Sequence, residues 1–353
     1  MIFLAMLELV LVKVVSTMAK HRNLLVIWLA IALLFILTVL LSLSLGQFSI
    51  PFSHVLAGLF SDPSGIVSPE EQAVLWNIRM PRTLVGLMVG AGLALAGTIM
   101  QAVFVNPLAD PAILGVSSGA SLGAVLAISS GLMAVSFFIM PVFAFIGAIA
   151  AVMITVLLCF RHGQVKVLSL LLAGIVVGML FNAVTSAILT MSTNQQLHQY
   201  LFWTIGGLDY RRWIHVVIVT GPVLAGAIIT LFLARHLNVL VLGDTEARAL
   251  GMPVVPFRLG LLTLASVMTA TCVCVSGTIG FVGLVMPHMM RLLVGVDHRR
   301  LIPAAAIAGG IFLVLCDTLG RVILPMTEIR VGIMTAILGT PYFLYLLRRR
   351  NLT

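Results

Sequence analysis

The sequence predicts an all-α polytopic membrane protein, and its composition, apolar runs and charge distribution support this fold class. Of the 353 residues, 61% are hydrophobic and only 9% are charged, whereas about a quarter of the residues in a soluble domain are charged. Apolar runs of about 20 residues, long enough to cross a bilayer as a helix, recur along the chain. A water-soluble globule is excluded, because its surface would need far more polar residues.

Ten apolar segments are predicted to be transmembrane helices. Residues 24–45 form the clearest one, because they contain no charged residue. The eighth segment is short and contains Pro287, His288 and Arg291. The ten segments cover about 24–45, 82–104, 112–131, 135–160, 167–191, 213–234, 256–277, 280–294, 301–320 and 329–347.

The remaining segments divide the chain into a leader and one domain. We expect residues 1–23 to form a cytoplasmic leader and residues 24–350 to form a single transmembrane domain. Residues 46–78 are predicted to be a long polar loop outside, because three prolines should break any helix there. Residues 195–206 are too short and polar to span, so they should lie at the outer surface.

The basic residues indicate the orientation. Ten crossings place both termini on one side of the membrane. If that side is the cytoplasm, 14 of the 20 basic residues lie in inner segments and six lie in outer segments. Because inner loops of membrane proteins are enriched in Lys and Arg, this count predicts cytoplasmic termini. The basic residues are scattered rather than clustered on one face, so no nucleic-acid partner is expected.

Cysteine and lysine positions predict neither a metal site nor a nucleotide site. The four cysteines lie within apolar runs, which favours buried fillers over ligands or disulfides. Cys272 and Cys274 would point about 200° apart on a helix and could not share a metal. None of the three lysines follows a glycine, so the chain lacks a Walker A loop. We expect no cofactor on this chain and no catalytic residues.

Two local patterns are interpreted from their residues alone. Four glycines at helical spacing, Gly86, Gly90, Gly92 and Gly97, should allow close helix packing. The inner loop around 240–252 is predicted to form a short amphipathic helix on the cytoplasmic face. Asp244 or Thr245 would cap this helix, Gly251 would end it, and Pro253 would prevent its continuation.

A series of ordered motifs carries a family resemblance that extends from about residue 46 to residue 350. The motifs are Asn77-Ile-Arg79-Met-Pro81-Arg82, Gly97-Thr-Ile-Met-Gln101, Asn106-Pro107-Leu-Ala-Asp110-Pro111, Leu114-Gly115-Val, Gly280-Phe-Val-Gly283-Leu-Val-Met-Pro287-His288-Met-Met-Arg291, Asp317 to Arg321, and Leu338-Gly339-Thr-Pro341. Together they resemble the FecCD-type permeases of ABC importers, whose relatives import ferric siderophores, haem and vitamin B12.

The resemblance implies an architecture and a set of partners. The fold would be that of a type II ABC importer permease with ten transmembrane helices per subunit, located in the bacterial cytoplasmic (inner) membrane. The partners would be a second copy or close paralogue, a cytoplasmic ABC ATPase dimer that binds ATP and Mg, and a periplasmic or lipid-anchored substrate-binding protein. The cargo would be a metal chelate.

The resemblance also assigns roles to particular residues. The coupling helix that contacts the ATPase would include Asp244, Glu246, Ala247, Arg248, Leu250 and Gly251, with a solvated loop as the alternative. The binding protein would dock on Arg79, Arg82 and Arg321, although these residues could instead anchor helix ends, and Arg321 could pair with Asp317. A cytoplasmic gate would include Asn106 and Leu108, although Asn106 could simply cap a turn. The translocation path would include Asn182, Thr185 and Ser186.

The function that the resemblance implies is import of a ferric-siderophore-type iron chelate by alternating access, with haem and cobalamin as alternative cargoes. A secondary transporter is the alternative from another class, and it would need ionisable groups at mid-membrane depth. Asp317 is the single acidic residue within a predicted span and it lies near one end. His198, Tyr200 and Trp203 could face haem or could be aromatic anchors at the membrane interface.

Overall fold

A computed structural model of the protein describes residues 24–60, 65–136, 138–160 and 167–350, with the side chains of Ala134 and of 345–350 left aside. The predicted leader, 1–23, lies outside the described residues. The described part is helical and contains no strand. Its helices are α1 (Leu24–Ser44), α2 (Phe52–Leu59), α3 (Pro69–Val74), α4 (Met80–Val103), α5 (Val116–Ser129), α6 (Ile139–Cys159), α7 (Val167–Thr190), α8 (Asn194–Ile205), α9 (Trp213–Phe232), α10 (Ala234–Leu240), α11 (Asp244–Ala249), α12 (Val254–Ser276), α13 (Val282–Val294), α14 (His298–Val322) and α15 (Val331–Arg350).

Every predicted transmembrane segment contains a helix. Within the described residues, seven helices are long and apolar enough to cross a membrane. They correspond to α1, the helical unit Pro69–Val103 that ends with α4, α6, α7, α9, α12 and α14. The other three apolar helices are shorter: Val116–Ser129, Val282–Val294 and Val331–Leu344. The structure therefore agrees with a multi-pass membrane protein but leaves the number of crossings open.

The segment predicted as a helix-free outer loop contains two helices, so that prediction was wrong. Pro69 occupies the first turn of α3, where a proline costs no hydrogen bond. Ser68 and Glu71 form a reciprocal capping box at the same point. A π-helical turn, Leu75–Arg79, then joins α3 to α4. The second predicted span is thus the end of one helical unit that covers Pro69–Val103.

The central helix α4 packs against α9, α12, α13 and α14. Two of its glycines meet glycines on neighbouring helices. A Cβ atom on Gly90 would overlap the carbonyl oxygen of Gly309, and one on Gly97 would overlap that of Gly283. These contacts confirm that the glycines of this segment serve close helix packing. The helix backbones approach closely because neither partner carries a side chain.

Charged residues collect at the two ends of the bundle. One end, here called the arginine end, contains Arg79, Arg82, Arg211, Arg321 and Arg330 together with the starts of α4, α9 and α15. The opposite end, here called the α11 end, contains α11, the first turns of α12 and α14, and the end of α4. Arg212, which precedes α9, completes the six arginines predicted to be outside. The apolar middle of the bundle separates the two sets.

Candidate functional site

The short helix α11 begins and ends at glycines with positive φ. Gly243 precedes it with φ of 115°, and Gly251 follows it with φ of 80°. The predicted end at Gly251 is confirmed, since the left-handed conformation there favours glycine. The predicted cap was wrong, because no side chain caps the helix and Asp244 is its first residue.

The predicted coupling residues divide into an exposed set and a set that contacts the rest of the chain. Glu246 and Arg248 are exposed, as is Leu250, whose exposed fraction is 66%. Ala247 is fully buried and fixes the opposite face of α11 against the bundle. The exposed set offers an acid, a base and an apolar side chain on one short element. Such a surface fits transient contact with another protein.

Asp244 is bound within the chain. Its carboxylate accepts two hydrogen bonds from the Arg258 guanidinium, at 2.5 Å from Nη2 and 3.2 Å from Nη1. Arg258 lies in the first turns of α12 and is almost completely buried. The hydrogen bonds from Arg258 lower the pKa of the Asp244 carboxyl below its ordinary value. The carboxylate therefore stays charged and paired as the pH falls towards the ordinary aspartate pKa, and the pair is lost only below it.

A second polar cluster joins α10 to the start of α14. The Asn238 side-chain oxygen accepts a hydrogen bond from the His298 backbone N–H at 2.9 Å and lies 2.7 Å from His298 Nδ1. The Asn238 amide donates to Asp297 at 2.7 Å. Asp297 also caps α14 by accepting from the Arg299 N–H at 3.0 Å. The cluster thus holds the element that precedes α11 against the first turn of α14.

At the arginine end, Arg82 is a hub for three carboxylates. Its Nε and Nη2 donate to Asp317 at 2.9 and 2.8 Å. Its Nη1 donates to Glu328 at 2.8 Å, and Nη2 reaches Asp209 at 3.3 Å. Through these bonds α4 is connected to α14, to the segment before α15 and to the segment before α9. Only 8% of Arg82 is exposed.

Arg321 and Arg79 are also engaged internally. Arg321 pairs with Asp317 at 3.2 Å, which is one of the alternatives that the sequence left open, and it donates to the Ser42 hydroxyl at 2.9 Å. Arg79 donates to carbonyl oxygens at the end of α1, including that of Leu43 at 2.6 Å, and to the Phe48 carbonyl oxygen.

All three predicted docking arginines are buried, with 4 to 8% of each residue exposed. Direct contact with a binding protein would require their guanidinium groups to leave these partners. Their placement therefore favours the anchoring alternative, and docking through them stays a prediction.

The predicted gate residues lie in the connection after α4. The Asn106 side-chain oxygen accepts a hydrogen bond from the Leu108 N–H at 3.0 Å, so Asn106 caps this turn as the structural alternative proposed. Nearby, Gln101 of α4 donates to the Leu284 carbonyl at 3.1 Å and accepts from Arg291 at 2.9 Å. The end of α4, from which the connection leaves, is thus braced against α13, and the gating role stays a prediction.

The predicted path residues on α7 point in different directions. Asn182 lines a groove of about 350 Å³, whereas Thr185 is only 3% exposed and faces the bundle. Ser186 is exposed but does not line this groove. The groove is lined by Ala112, Ile113, Gly115, Ser117, Ser118, Ser121, Gly174, Ile175, Gly178, Met179, Asn182 and Thr278. Hydroxyl groups and one amide provide its polarity, and none of these side chains is charged.

Metal ligands are not grouped within the part of the chain that the structure describes: no cluster of three or more His, Cys, Asp or Glu side chains occurs there. The four cysteines are free and buried, which confirms their interpretation as fillers. Trp203 is buried, so it is not available at the outer surface.

Several partners of the site residues were not predicted from the sequence. Arg258, Asn238, Asp209 and Glu328 were not singled out, yet each holds a predicted site residue or the element beside it. One feature of the sequence could have identified the two acidic partners, Asp209 and Glu328. The chain has only 11 acidic residues, and an acid beside an apolar span of a membrane protein usually needs a cationic partner.

Comparison with known proteins decides the family. The family model described as the FecCD transport family matches residues 33–349. The chain belongs to the FecCD transport family. The match covers the helical bundle from the middle of α1 almost to the end of α15, including both of its polar ends.

Individual relatives and one solved structure agree with this assignment. The chain is 42% identical over 287 residues to the hemin transport system permease protein HmuU of Yersinia pestis, covering 78% of this chain and 84% of HmuU. It is 43% identical over 280 residues to the cobalamin import system permease protein BtuC of Halobacterium salinarum, covering 79% of this chain and 74% of BtuC. A solved structure described as an inward-facing metal-chelate type ABC transporter matches with a TM-score of 0.81 and 32% identity, covering 92% of this chain and 99% of that one.

This FecCD permease is therefore a multi-pass membrane component of an ABC transporter. Its relatives are transporter subunits rather than catalytic enzymes. The two polar ends of the bundle can accordingly be considered as the contact surfaces of a transport component.

The arginine end yields a stability prediction. Replacement of Asp317 by Asn should leave Arg82 and Arg321 buried without their shared carboxylate, which costs about 3–5 kcal/mol for a broken buried ion pair. We expect a strongly lowered Tm of the purified protein in detergent. The matched control is Asp209→Asn, which removes a more exposed and more distant partner of Arg82. Equal Tm values for the two variants would contradict the hub role of Asp317.

Proposed function

We propose that this permease is the transmembrane pathway of an ATP-driven importer that carries a ferric-siderophore-type chelate across the bacterial inner membrane by alternating access. Two copies, or this chain and a close paralogue, would enclose the path. A cytoplasmic ABC ATPase dimer would bind ATP and Mg, and an external binding protein would deliver the cargo. The observation that carries the proposal is the exposed face of α11 at the end of a FecCD bundle.

The α11 end is the proposed contact surface for the ATPase. Glu246, Arg248 and Leu250 project from a helix whose other face is fixed by the buried Ala247. A fixed helix with a mixed polar and apolar face can be pushed by a partner without unfolding. ATP binding to the partner would then bias the permease between two conformations through differential affinity for them.

The proposed topology has ten crossings with both termini in the cytoplasm. Support comes from the three shorter helices, α5, α13 and α15, which coincide with predicted spans. Further support comes from the six arginines predicted to be outside, because they all belong to the end opposite α11.

Surface labelling checks this topology. Tyr210 and Thr245 are exposed residues at the arginine end and at α11 respectively. We expect an impermeant maleimide added to intact spheroplasts to label Tyr210→Cys and to label Thr245→Cys only after permeabilisation. The four native cysteines are buried, so the wild-type chain is the background control. Labelling of both positions from outside would refute the proposed orientation.

The groove beside Asn182 supports chelate cargo over a bare ion. Its lining contains hydroxyl groups and an amide but neither imidazole, thiolate nor carboxylate groups that would strip a metal from its chelator. It also contains no Lys or Arg that would attract an oxyanion. Weak, uncharged hydrogen-bonding groups suit a large polar molecule that must pass without being held.

Haem and cobalamin remain the alternative cargoes, because HmuU belongs to a hemin transport system and BtuC to a cobalamin import system. Ion-coupled transport is disfavoured by a specific observation. Asp317, the acidic residue within a predicted span, is paired with Arg82 and Arg321. A carboxylate held by two cations is poorly placed to bind and release a coupling ion.

Uptake by vesicles tests both power source and cargo. We expect proteoliposomes with the permease, its ATPase and its binding protein to take up labelled ferric siderophore only when ATP is present. Labelled haem and cobalamin are the comparison cargoes. Uptake of haem or cobalamin in place of ferric siderophore would reassign the cargo within the same function. Uptake by the permease alone, driven by an ion gradient, would overturn the ATP-driven function.

The α11 contact has its own test. Glu246→Arg reverses one exposed charge on the proposed contact face and should abolish transport while leaving membrane insertion unchanged. The matched control is Glu70→Arg, which makes the same reversal at an exposed position near the other end. Transport and stimulation of ATP hydrolysis are measured in reconstituted vesicles. Wild-type transport by Glu246→Arg would refute the docking role of α11.

A further inference from the structure

The helix α11 is too short to keep its shape unaided. It has six residues, whereas isolated helices of fewer than about 12 residues are marginal in water. Its position must therefore be set by contacts with the rest of the bundle. The structure provides two polar contacts close to it, one from its first residue, Asp244, and one from Asn238 in the preceding helix α10.

We propose that Asp244 and Asn238 are positioning residues that clamp the α10–α11 segment to α12 and α14, so that movement of α11 is transmitted to these helices. The transmitting role rests on the proposed function. The clamp itself does not, because it concerns contacts within the chain. The proposal changes the predicted role of Asp244, which sequence resemblance placed among the residues that contact the ATPase.

The first clamp joins α11 to α12. Both carboxylate oxygens of Asp244 are engaged by the two terminal nitrogens of Arg258. A bidentate pair fixes orientation as well as distance. Arg258 is only 2% exposed, so its side chain cannot follow a moving partner into solvent. Asp244 thus directs its carboxylate to Arg258 while its side chain stays 44% exposed, whereas Glu246 and Arg248 are exposed.

The second clamp joins α10 to α14. Asn238 uses both its oxygen and its nitrogen on the first residues of α14, with contacts of 2.7 to 2.9 Å to His298 and Asp297. The hydrogen bond from Asn238 is also the main cause that lowers the pKa of the Asp297 carboxyl. Residues 241–243 separate α10 from α11, so this short connection can absorb little of a displacement of α11 relative to α10.

The clamped helices lead to the opposite end of the bundle. Both α12 and α14 pack against the central helix α4. The 25 residues of α14 span about 37 Å at 1.5 Å per residue, and its last turns carry Asp317 and Arg321. A push on α11 is therefore applied to the first turns of two helices, one of which holds the arginine hub.

Hydrogen exchange on the purified chain tests the clamp without any partner. The N–H groups of Ala247, Leu250 and Met252 are hydrogen-bonded within the α11 segment. We expect Asp244→Asn to speed exchange in the peptide covering 241–253 about tenfold, and Arg258→Gln to do the same. The double variant should be no faster than either single variant, because both remove one contact. Arg235→Gln, which removes an exposed charge from α10, is the control and should leave exchange unchanged.

Reconstituted vesicles test the transmitting role. We expect Asp244→Asn and Asn238→Ala to lower uptake per ATP hydrolysed about tenfold while the Kd for the ATPase stays within twofold of wild type. Arg248→Ala should instead raise that Kd, because Arg248 lies on the exposed face. The exchanged pair Asp244→Arg with Arg258→Asp should recover part of the lost uptake per ATP.

Several outcomes would overturn the proposal. Unchanged hydrogen exchange in Asp244→Asn and Arg258→Gln would show that the pair does not hold α11. A raised Kd for the ATPase in Asp244→Asn, additive with the effect of Arg258→Gln, would show that Asp244 is a direct contact. If wild-type vesicles show no ATP-dependent uptake, the proposed function fails, whereas hydrogen exchange still decides whether the clamp exists.

Discussion

Close backbone contact around α4 is the constraint on which the rest of the bundle depends. In a membrane, helices gain little from hydrophobic association with one another, so their pairing relies on packing and on hydrogen bonds. The facing glycines Gly90 with Gly309 and Gly97 with Gly283 bring α4 against α14 and α13. This approach sets where the ends of α14 fall, and hence where Asp317 can meet Arg82. The ion pairs at the arginine end are possible because the helices are already in register.

A second property of the membrane explains why polar groups collect at the two ends. Unpaired charge is costly in the hydrocarbon region, and the described ion pairs are found near helix ends. At the arginine end, three carboxylates and several carbonyl oxygens neutralise the buried guanidinium groups. At the α11 end, Arg258 is paired with Asp244, and Asp297 accepts a hydrogen bond from Asn238. The exposed groups differ between the two ends. At the α11 end they are the side chains on the outer face of α11.

The sequence predicts the helices well because each span needs a long apolar run, and such runs are visible without knowledge of contacts. It failed at residues 46–78, where the prolines were taken as helix breakers, although Pro69 stands at the first turn of a helix. The helix α11 was also located by its bounding Gly251. The direction in which a side chain points, by contrast, depends on contacts that the sequence does not show. Glu246 and Asp244 are two residues apart with the same chemistry, yet one faces outwards and one binds Arg258.

The arginines show why partners cannot be deduced from spacing alone. Arg82 and Asp317 are 235 residues apart, and only the packing of α4 against α14 brings them together. A motif can indicate that Arg79, Arg82 and Arg321 matter, but burial decides how they act. Because all three hold helix ends together, a partner that binds at this end need not touch them to depend on them. It would meet a surface whose shape they maintain, and α14 would connect that surface to the clamps around α11.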